Sequence, residues 1–290
     1  MIHRKIFKLP LRSSSLHLGK RTLVMGVLNV TPDSFSDGGE FFAAKPAVEH
    51  ALAMQRDGAD IIDIGAESTR PGSVEIPAAE ELRRLLPVLQ GLRGKLRIPI
   101  SVDTQKSGVA EIALGAGAEI INDISGLRHD PELARVAAKH GAVLVLMHMR
   151  GTPRTMQKGP FARDVANDVI SGLQQSIATA RRFGVRRSRI VIDPGIGFGK
   201  SYTQNYELLA KLPELAKLGC PLLVGTSRKG FLGATLARKR KPAAIEQRLF
   251  ATAATIAASI LNGAHIVRVH DVKEMREVAV VTDLIASARR

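Results

Sequence analysis

Eight short apolar runs, rich in Val and Ile, recur along this chain, and each is followed by a turn and a longer segment of helical patterning. The runs are LVMGVLN at 23–29, DIIDIG at 60–65, PISVD at 99–103, EIIND at 119–123, AVLVLMH at 142–148, RIVID at 189–193, PLLVGTS at 221–227 and HIVRVH at 265–270. The segments 43–57, 78–93, 105–115, 131–139, 163–183, 205–217, 245–261 and 272–288 read as the helices. Near-continuous apolar strands alternating with helices imply a parallel sheet covered on both faces. Eight such units in about 250 residues match a closed TIM (β/α)8 barrel. No linker or change of composition divides residues 1–290, so one α/β domain is expected, with the barrel proper at about 21–288. An open doubly wound sheet would need a glycine fingerprint after its first strand. NVTPDSFSDGG stands there instead. Residues 1–22 precede the first run, and LPLRSSSLHLG suggests a hairpin under the N-terminal end of the barrel.

Composition narrows the function classes. The chain has one cysteine, Cys220, so an intrachain disulfide is impossible and a reducing compartment fits. Cys220 precedes an apolar run and reads as a small buried hydrophobe rather than a nucleophile. The longest weakly polar stretch, ATAATIAASIL at 251–261, is too short to cross a bilayer. No apolar segment of signal length follows the basic residues His3, Arg4, Lys5 and Lys8. A cytoplasmic, soluble protein with no membrane partner is expected. The net charge of +15 draws on Arg181, Arg182, Arg186, Arg187 and Arg189 and on the run Arg238 to Lys241. These read as solvated surface, and with 4% aromatics and no Trp the chain lacks stacking platforms for nucleic acid.

Catalytic groups in such barrels gather where the strands end. Here those ends carry Asn29, Asp63, Asp103, Asn122 with Asp123, His148, Asp193, Ser227, and Arg268 with His270. Buried polar groups are costly unless paired, so this many at one rim predict a single polar pocket. Arg268 and His270, two apart on a strand, face the same side and suit an anion. Asp63 is either part of the pocket or an anchor for the second loop; Asp123 faces away; His148 hydrogen-bonds a neighbouring loop or lines the site. The loops 31–39 and 67–72 are rich in Gly, Ser, Thr and Pro and read as two lids. GFGKS at 197–201 imitates a phosphate loop, but that motif needs Gly at 194, where this chain has Pro. An NTPase is therefore not expected.

NVTPDSFSDGG, ESTRPG, ISVDT, INDIS, LMHMRGTPRTMQ, DPGIGFGK, GTSRKGF and RVHD, in that order from about residue 21 to 285, resemble the dihydropteroate synthase family of pterin-binding barrels. The resemblance implies a transferase of folate biosynthesis. It would condense 6-hydroxymethyl-7,8-dihydropterin pyrophosphate with p-aminobenzoate, release pyrophosphate, and be open to sulfonamides. By the same resemblance Asp193, Asp103 and Asn122 would bind the pterin edge and Lys229 its carbonyl side, with Met147 and Phe198 against the ring faces. Asn29 would bind Mg²⁺ on the pyrophosphate, and Arg268 and His270 would hold its oxygens. Thr69, Arg70 and Pro71 would come from the second lid. Ser227 and Arg228 would place p-aminobenzoate, its carboxylate near a helix starting at Gly230, with Phe35 of the first lid closing over it. Lys229, Arg268, His270 and Asp103 are the residues expected to carry catalysis, and a homodimer is implied. Two departures, Ala66 where Gly is common and Gly230 at a variable position, leave this intact. A methyltetrahydrofolate–corrinoid methyltransferase and a non-catalytic pterin-binding paralogue share the barrel. The TPDSFSDGG, STRPG and SRK strings favour the synthase.

The chemistry fits these residue types. A pterin presents a flat row of N–H donors, and a carboxylate accepts two side by side, which suits Asp better than Asn at 193. Loss of pyrophosphate leaves a resonance-stabilised cation, so the work is electrostatic: Mg²⁺ and cationic side chains stabilise the departing anion. The attacking arylamine becomes acidic, and no strong general base is required.

Overall fold

A computed structural model describes residues 4–31, 40–70 and 72–288. Strands β1 (Phe7–Pro10) and β2 (Ser15–Leu18) pair antiparallel, the hairpin expected of the N-terminal segment. Then follow β3 (Leu23–Asn29), α1 (Glu40–Arg56), β4 (Ile61–Gly65), α2 (Ala78–Leu92), β5 (Ile100–Asp103), α3 (Ser107–Gly115), β6 (Ile120–Asp123) and α4 (Glu132–His140). The second half runs β7 (Val143–Met147), α5 (Val165–Arg182), β8 (Ile190–Asp193), α6 (Tyr202–Ala210), β9 (Leu223–Val224), α7 (Gly230–Thr235), α8 (Leu249–Leu261), β10 (Ile266–Val269) and α9 (Val272–Ala288). The eight strands β3–β10 are parallel, in the order β8-β7-β6-β5-β4-β3-β10-β9. A parallel bridge between Ile192 and Leu222 closes the ring, and Ile192 N donates to Pro221 O at 3.0 Å.

Successive side chains on a strand point to opposite faces, and two cores result. Val24, Ile62, Ile64, Val102, Ile121, Leu144, Ile192 and Val267 face outward into a cluster shared with the helices. Leu23, Met25, Ile61, Ile120, Val143, Val145, Val191, Leu223 and Ile266 fill the inside of the barrel, and Leu9, Leu11 and Leu18 of the hairpin close its base. Each such side chain contributes about 1.5–3 kcal/mol by leaving water. Gly26 is required where it stands: a Cβ there would lie 2.8 Å from Met54 Sδ and 3.0 Å from Val272 Cγ2, so its absence lets α1 and α9 pack on β3.

The strand runs match the expected ones except at 221–227, where the ladder covers only Leu223–Val224. Past it, side chains take over: Ser227 Oγ accepts His270 N at 3.2 Å, and Thr255 Oγ1 bonds Thr226 Oγ1 at 2.9 Å. The expected helix 205–217 is two pieces, α6 and a 3₁₀ segment at Leu212–Leu218. Pro213 explains the break, since it lacks the N–H an α-helix would use. Helix α7 starts at Gly230, where the resemblance implied a helix, although its six residues are too few to display a period. Cys220 is buried, as a small hydrophobe should be.

Candidate active site

The inward positions that are apolar at the base of the barrel turn polar at the C-terminal ends of the strands. Register puts Asn29, Gly65, Asp103 and Asn122 opposite one another across β3, β4, β5 and β6, and Met147 opposite Asp193 across β7 and β8. Asp63, one inward step below Gly65, is fully buried. Its Oδ2 accepts Arg268 Nε at 2.6 Å and Asn122 Nδ2 at 3.0 Å, and Arg268 Nη2 reaches Asp103 Oδ2 at 2.9 Å. Four strands are thereby tied by one guanidinium whose planar fork matches two carboxylates. Asp63 Oδ1 has no hydrogen-bond partner among the described residues.

Of the two readings left open for Asp63, the structure favours the pocket: it holds Arg268 and Asn122, not the second loop. That loop is anchored by residues the sequence did not single out. Lys106 Nζ donates to Glu67 Oε2 at 2.5 Å and to buried Glu81 Oε2 at 2.8 Å, and Ile76 N donates to Glu67 Oε1 at 3.3 Å. A signal for Asp63 existed: a lone carboxylate between Ile residues in a barrel strand requires a partner inside.

Asp193 accepts Gly195 N at 2.7 Å. Burial raises its carboxyl above the ordinary range, against the pull of Lys229. Burial likewise raises Asp103 to about 7, with Arg268 opposing. Lys229 donates to Ile196 O and its Nζ lies 4.4 Å from the centre of the Phe198 ring. Burial lowers its ammonium to about 8, with Asp193 opposing. Burial also disfavours the charge on Arg268, yet Asp63 and Asp103 hold its pKa above the usual value. Met147 packs with Ile124, Met149 and Met156, and Phe198 rests against this cluster, making an apolar wall beside the carboxylates.

His270 Nδ1 is 3.0 Å from Ser227 Oγ. Burial, then Arg268 and Arg228, lower the ring to about 3, so it is neutral at physiological pH. With the hydroxyl donating to Nδ1, its proton sits on Nε2. Arg228 has a left-handed backbone (φ 60°) and pairs with Asp271, its Nε 3.1 Å from Oδ2. Arg248 Nη1 donates to Arg228 O at 2.8 Å, and Arg228 N donates to Thr252 Oγ1 at 3.2 Å. Asp123 faces away and caps its own loop, accepting Ser125 N at 2.7 Å and Leu127 N at 2.6 Å. His148 lies beside Lys200 of the β8 loop, Nδ1 to Nζ 3.2 Å. Thr69 is half-buried and Arg70 exposed, and neither side chain joins the network. Phe35 and Pro71 lie outside the described residues.

The arrangement is a mouth with a hydrogen-bonding carboxylate row, an apolar wall, and cations beside it. It suits a flat polar heterocycle carrying an anionic tail. The model of the pterin binding enzyme family matches residues 25–270. A dihydropteroate synthase of Synechocystis is 47% identical over 277 residues, 96% of this chain and 94% of its own. The Escherichia coli dihydropteroate synthase is 44% identical over 92% of each chain. Among solved structures, a Yersinia pestis dihydropteroate synthase with a sulfonamide drug complex superposes with TM-score 0.88 at 41% identity, covering 97% of this chain and 100% of that one. A Xanthomonas albilineans dihydropteroate synthase with 4-aminobenzoic acid gives 0.88 at 40% identity, covering 97% and 98%. One from Clostridium difficile, in the presence of pteroic acid, gives 0.86 at 46%, covering 92% and 98%.

Proposed function

The chain belongs to the pterin binding enzymes, in their dihydropteroate synthase branch, a transferase of folate synthesis, and on that premise we propose how its residues divide the reaction. The pterin pyrophosphate enters the mouth with its N–H edge on Asp193, Asn122 and Asp103. An ionised Asp193 accepts two donors at once, and the ligand's donors supply what burial withholds from this carboxylate. Met147 and Phe198 flank the ring. Lys229, already poised over Phe198, turns to the pterin carbonyl.

The observation that carries this reading is the two-carboxylate grip on Arg268. It fixes a guanidinium beside the pterin row and leaves Nη1 for the pyrophosphate oxygens. Neutral His270 adds an Nε2–H donor, oriented by Ser227. Both are in place before the C–O bond to pyrophosphate breaks, which is where preorganised donors lower a barrier most. Ser227 and Arg228 place p-aminobenzoate, and Thr69, Arg70, Pro71 and Phe35 come over it from the two loops, excluding water from the cation.

Among the described residues no group of three or more His, Cys, Asp and Glu is arranged to hold a metal. Asn29, half-buried at the end of β3 with no side-chain hydrogen bond among the described residues, fits Mg²⁺, which takes few protein oxygens and keeps water and phosphate ones. Bound there, the ion would neutralise charge on the leaving pyrophosphate.

We also assign a homodimer through α8 and α9. These neighbouring helices expose Phe250 (86%), Val281, Leu284 and Ile285, while Thr252, Ile256 and Ile260 of α8 face the barrel. No helix among the described residues is long and apolar enough to cross a membrane, and a free cysteine suits the cytoplasm.

The direct test is incubation of the purified chain with the pterin pyrophosphate, Mg²⁺ and p-aminobenzoate. Dihydropteroate should form, and a sulfonamide should compete with p-aminobenzoate. Methyl transfer from methyltetrahydrofolate with no dihydropteroate would favour the corrinoid rival, and pterin binding with no turnover the non-catalytic one.

A further inference from the structure

The lysine of the GFGKS string, Lys200, is among the largest fully buried side chains of the described residues, 2% exposed. Lys200 makes no ion pair among the described residues. Its three protons meet four acceptors, Gly195 O (2.9 Å), Phe198 O (2.9 Å), His148 Nδ1 (3.2 Å) and His148 O (3.3 Å), the two His148 atoms sharing one N–H. These acceptors come from two loops, one after β7 and one after β8. The loops touch through backbone: a Cβ on Gly195 would sit 1.8 Å from His148 O, and one on Gly199 2.5 Å from Arg150 O. The loop so clamped starts at Asp193, presents Ile196 O to Lys229, and carries the Phe198 ring beneath that same ammonium.

We propose that Lys200 is a positioning residue for the pterin half of the reaction, an ammonium that cross-links the β7 and β8 loops and so sets where Phe198 and Lys229 meet the ring. This rests on the assignment of Phe198 and Lys229 to the pterin. The same clamp makes His148 Nδ1 an acceptor, leaving the proton of the neutral ring on Nε2, 3.6 Å from Asp168. The cage is built from the β7 and β8 loops, whereas Ser227 and Arg228, assigned to p-aminobenzoate, lie past β9, so the pterin should respond more than p-aminobenzoate.

The test uses Lys200→Met, which keeps the stem without donors, and Lys200→Gln, which keeps an amide donor. In both, KM for the pterin pyrophosphate should rise on the order of tenfold or more, Lys200→Met the further, as misplacement of supporting groups does. KM for p-aminobenzoate should stay within about twofold. Long-range ¹⁵N spectra of His148 should show the Nε2–H tautomer in the wild-type chain and lose that single state in Lys200→Met. Folded variants that shift both KM values equally, or neither, overturn the proposal. If neither variant folds, a wild-type spectrum with His148 protonated at Nδ1 overturns it alone. Failure of the underlying assignment is seen separately, as an unchanged pterin KM in Lys229→Ala.

Discussion

The two ends of this barrel are built from the same kinds of residue to opposite ends. At the base, polar groups are closed on each other. Arg4 Nη1 bonds Thr22 Oγ1 at 2.7 Å and Ala264 O at 3.1 Å, and the guanidinium pairs with Asp283, which also accepts Thr22 N at 2.6 Å. His265 accepts Leu222 N on Nδ1 at 3.1 Å and donates from Nε2 to Lys5 O at 3.0 Å; burial lowers its pKa to about 4, and the ring is neutral. Glu119 holds Ser13 N at 2.8 Å and Ser13 Oγ at 3.0 Å. At the mouth, among the described residues, Asp63 keeps an oxygen unpartnered, Asp193 has one backbone donor, and Lys229 rests on a carbonyl and a ring. Satisfied pairs fasten a chain end to a barrel, whereas unfinished ones await a ligand that completes them.

Exchanging the two arginines breaks this comparison most sharply if it is wrong. Arg268→Ala should lower kcat/KM by about two orders of magnitude or more, because a preorganised cation at the leaving group is lost. Arg4→Ala should leave kcat/KM within about twofold but lower Tm by several degrees, since Asp283 and Thr22 lose their partner. Steady-state kinetics beside calorimetry decide it. An Arg4 variant as impaired in turnover as the Arg268 variant would erase the distinction between base and mouth.

A smaller effect is expected at Asp193. Asp193→Asn presents an amide donor to the pterin donors in one orientation and removes a charge-assisted pair, at about 1.5–3 kcal/mol. Pterin affinity measured by calorimetry should fall roughly tenfold or more, with p-aminobenzoate unaffected. Unchanged pterin affinity would remove Asp193 from the ring edge.

The contrast also separates what could be read in the residues from what could not. Strand number, helix order, the basal hairpin and the polar rim follow from periodicity and from strand ends, which are local. The Arg268 fork is not local: Nε and Nη2 reach residues 205 and 165 positions away. Asp63 therefore remained ambiguous between pocket and lid anchor. Lys106 with Glu67 and Glu81 escaped notice for the same reason, because only the pairing of β4 with β5 brings their two loops and α2 together. Lys200 was visible and Pro194 excluded the phosphate-loop reading, but its acceptors were not legible, since His148 lies 52 positions away.

The smallest expected effect lies in pH. Lys229 loses its proton near 8, so the cation offered to the pterin falls from nearly full at pH 7 to half at pH 8. The kcat/KM for the pterin should drop roughly twofold over that unit and more steeply beyond it, as a single group titrates. Lys229→Arg should remove this limb whatever its residual rate. Stability should move the other way. An unfolded lysine keeps its proton to the ordinary value of 10.5, whereas the folded one releases it near 8, so the unfolded chain binds more protons in this window and Lys229's contribution to stability rises with pH. The base offers no such titration there, because His265 is already neutral above about 4. Turnover that falls while the Lys229-dependent part of Tm rises would place the ammonium at the mouth and in use; both falling together would assign the alkaline limb to a different group.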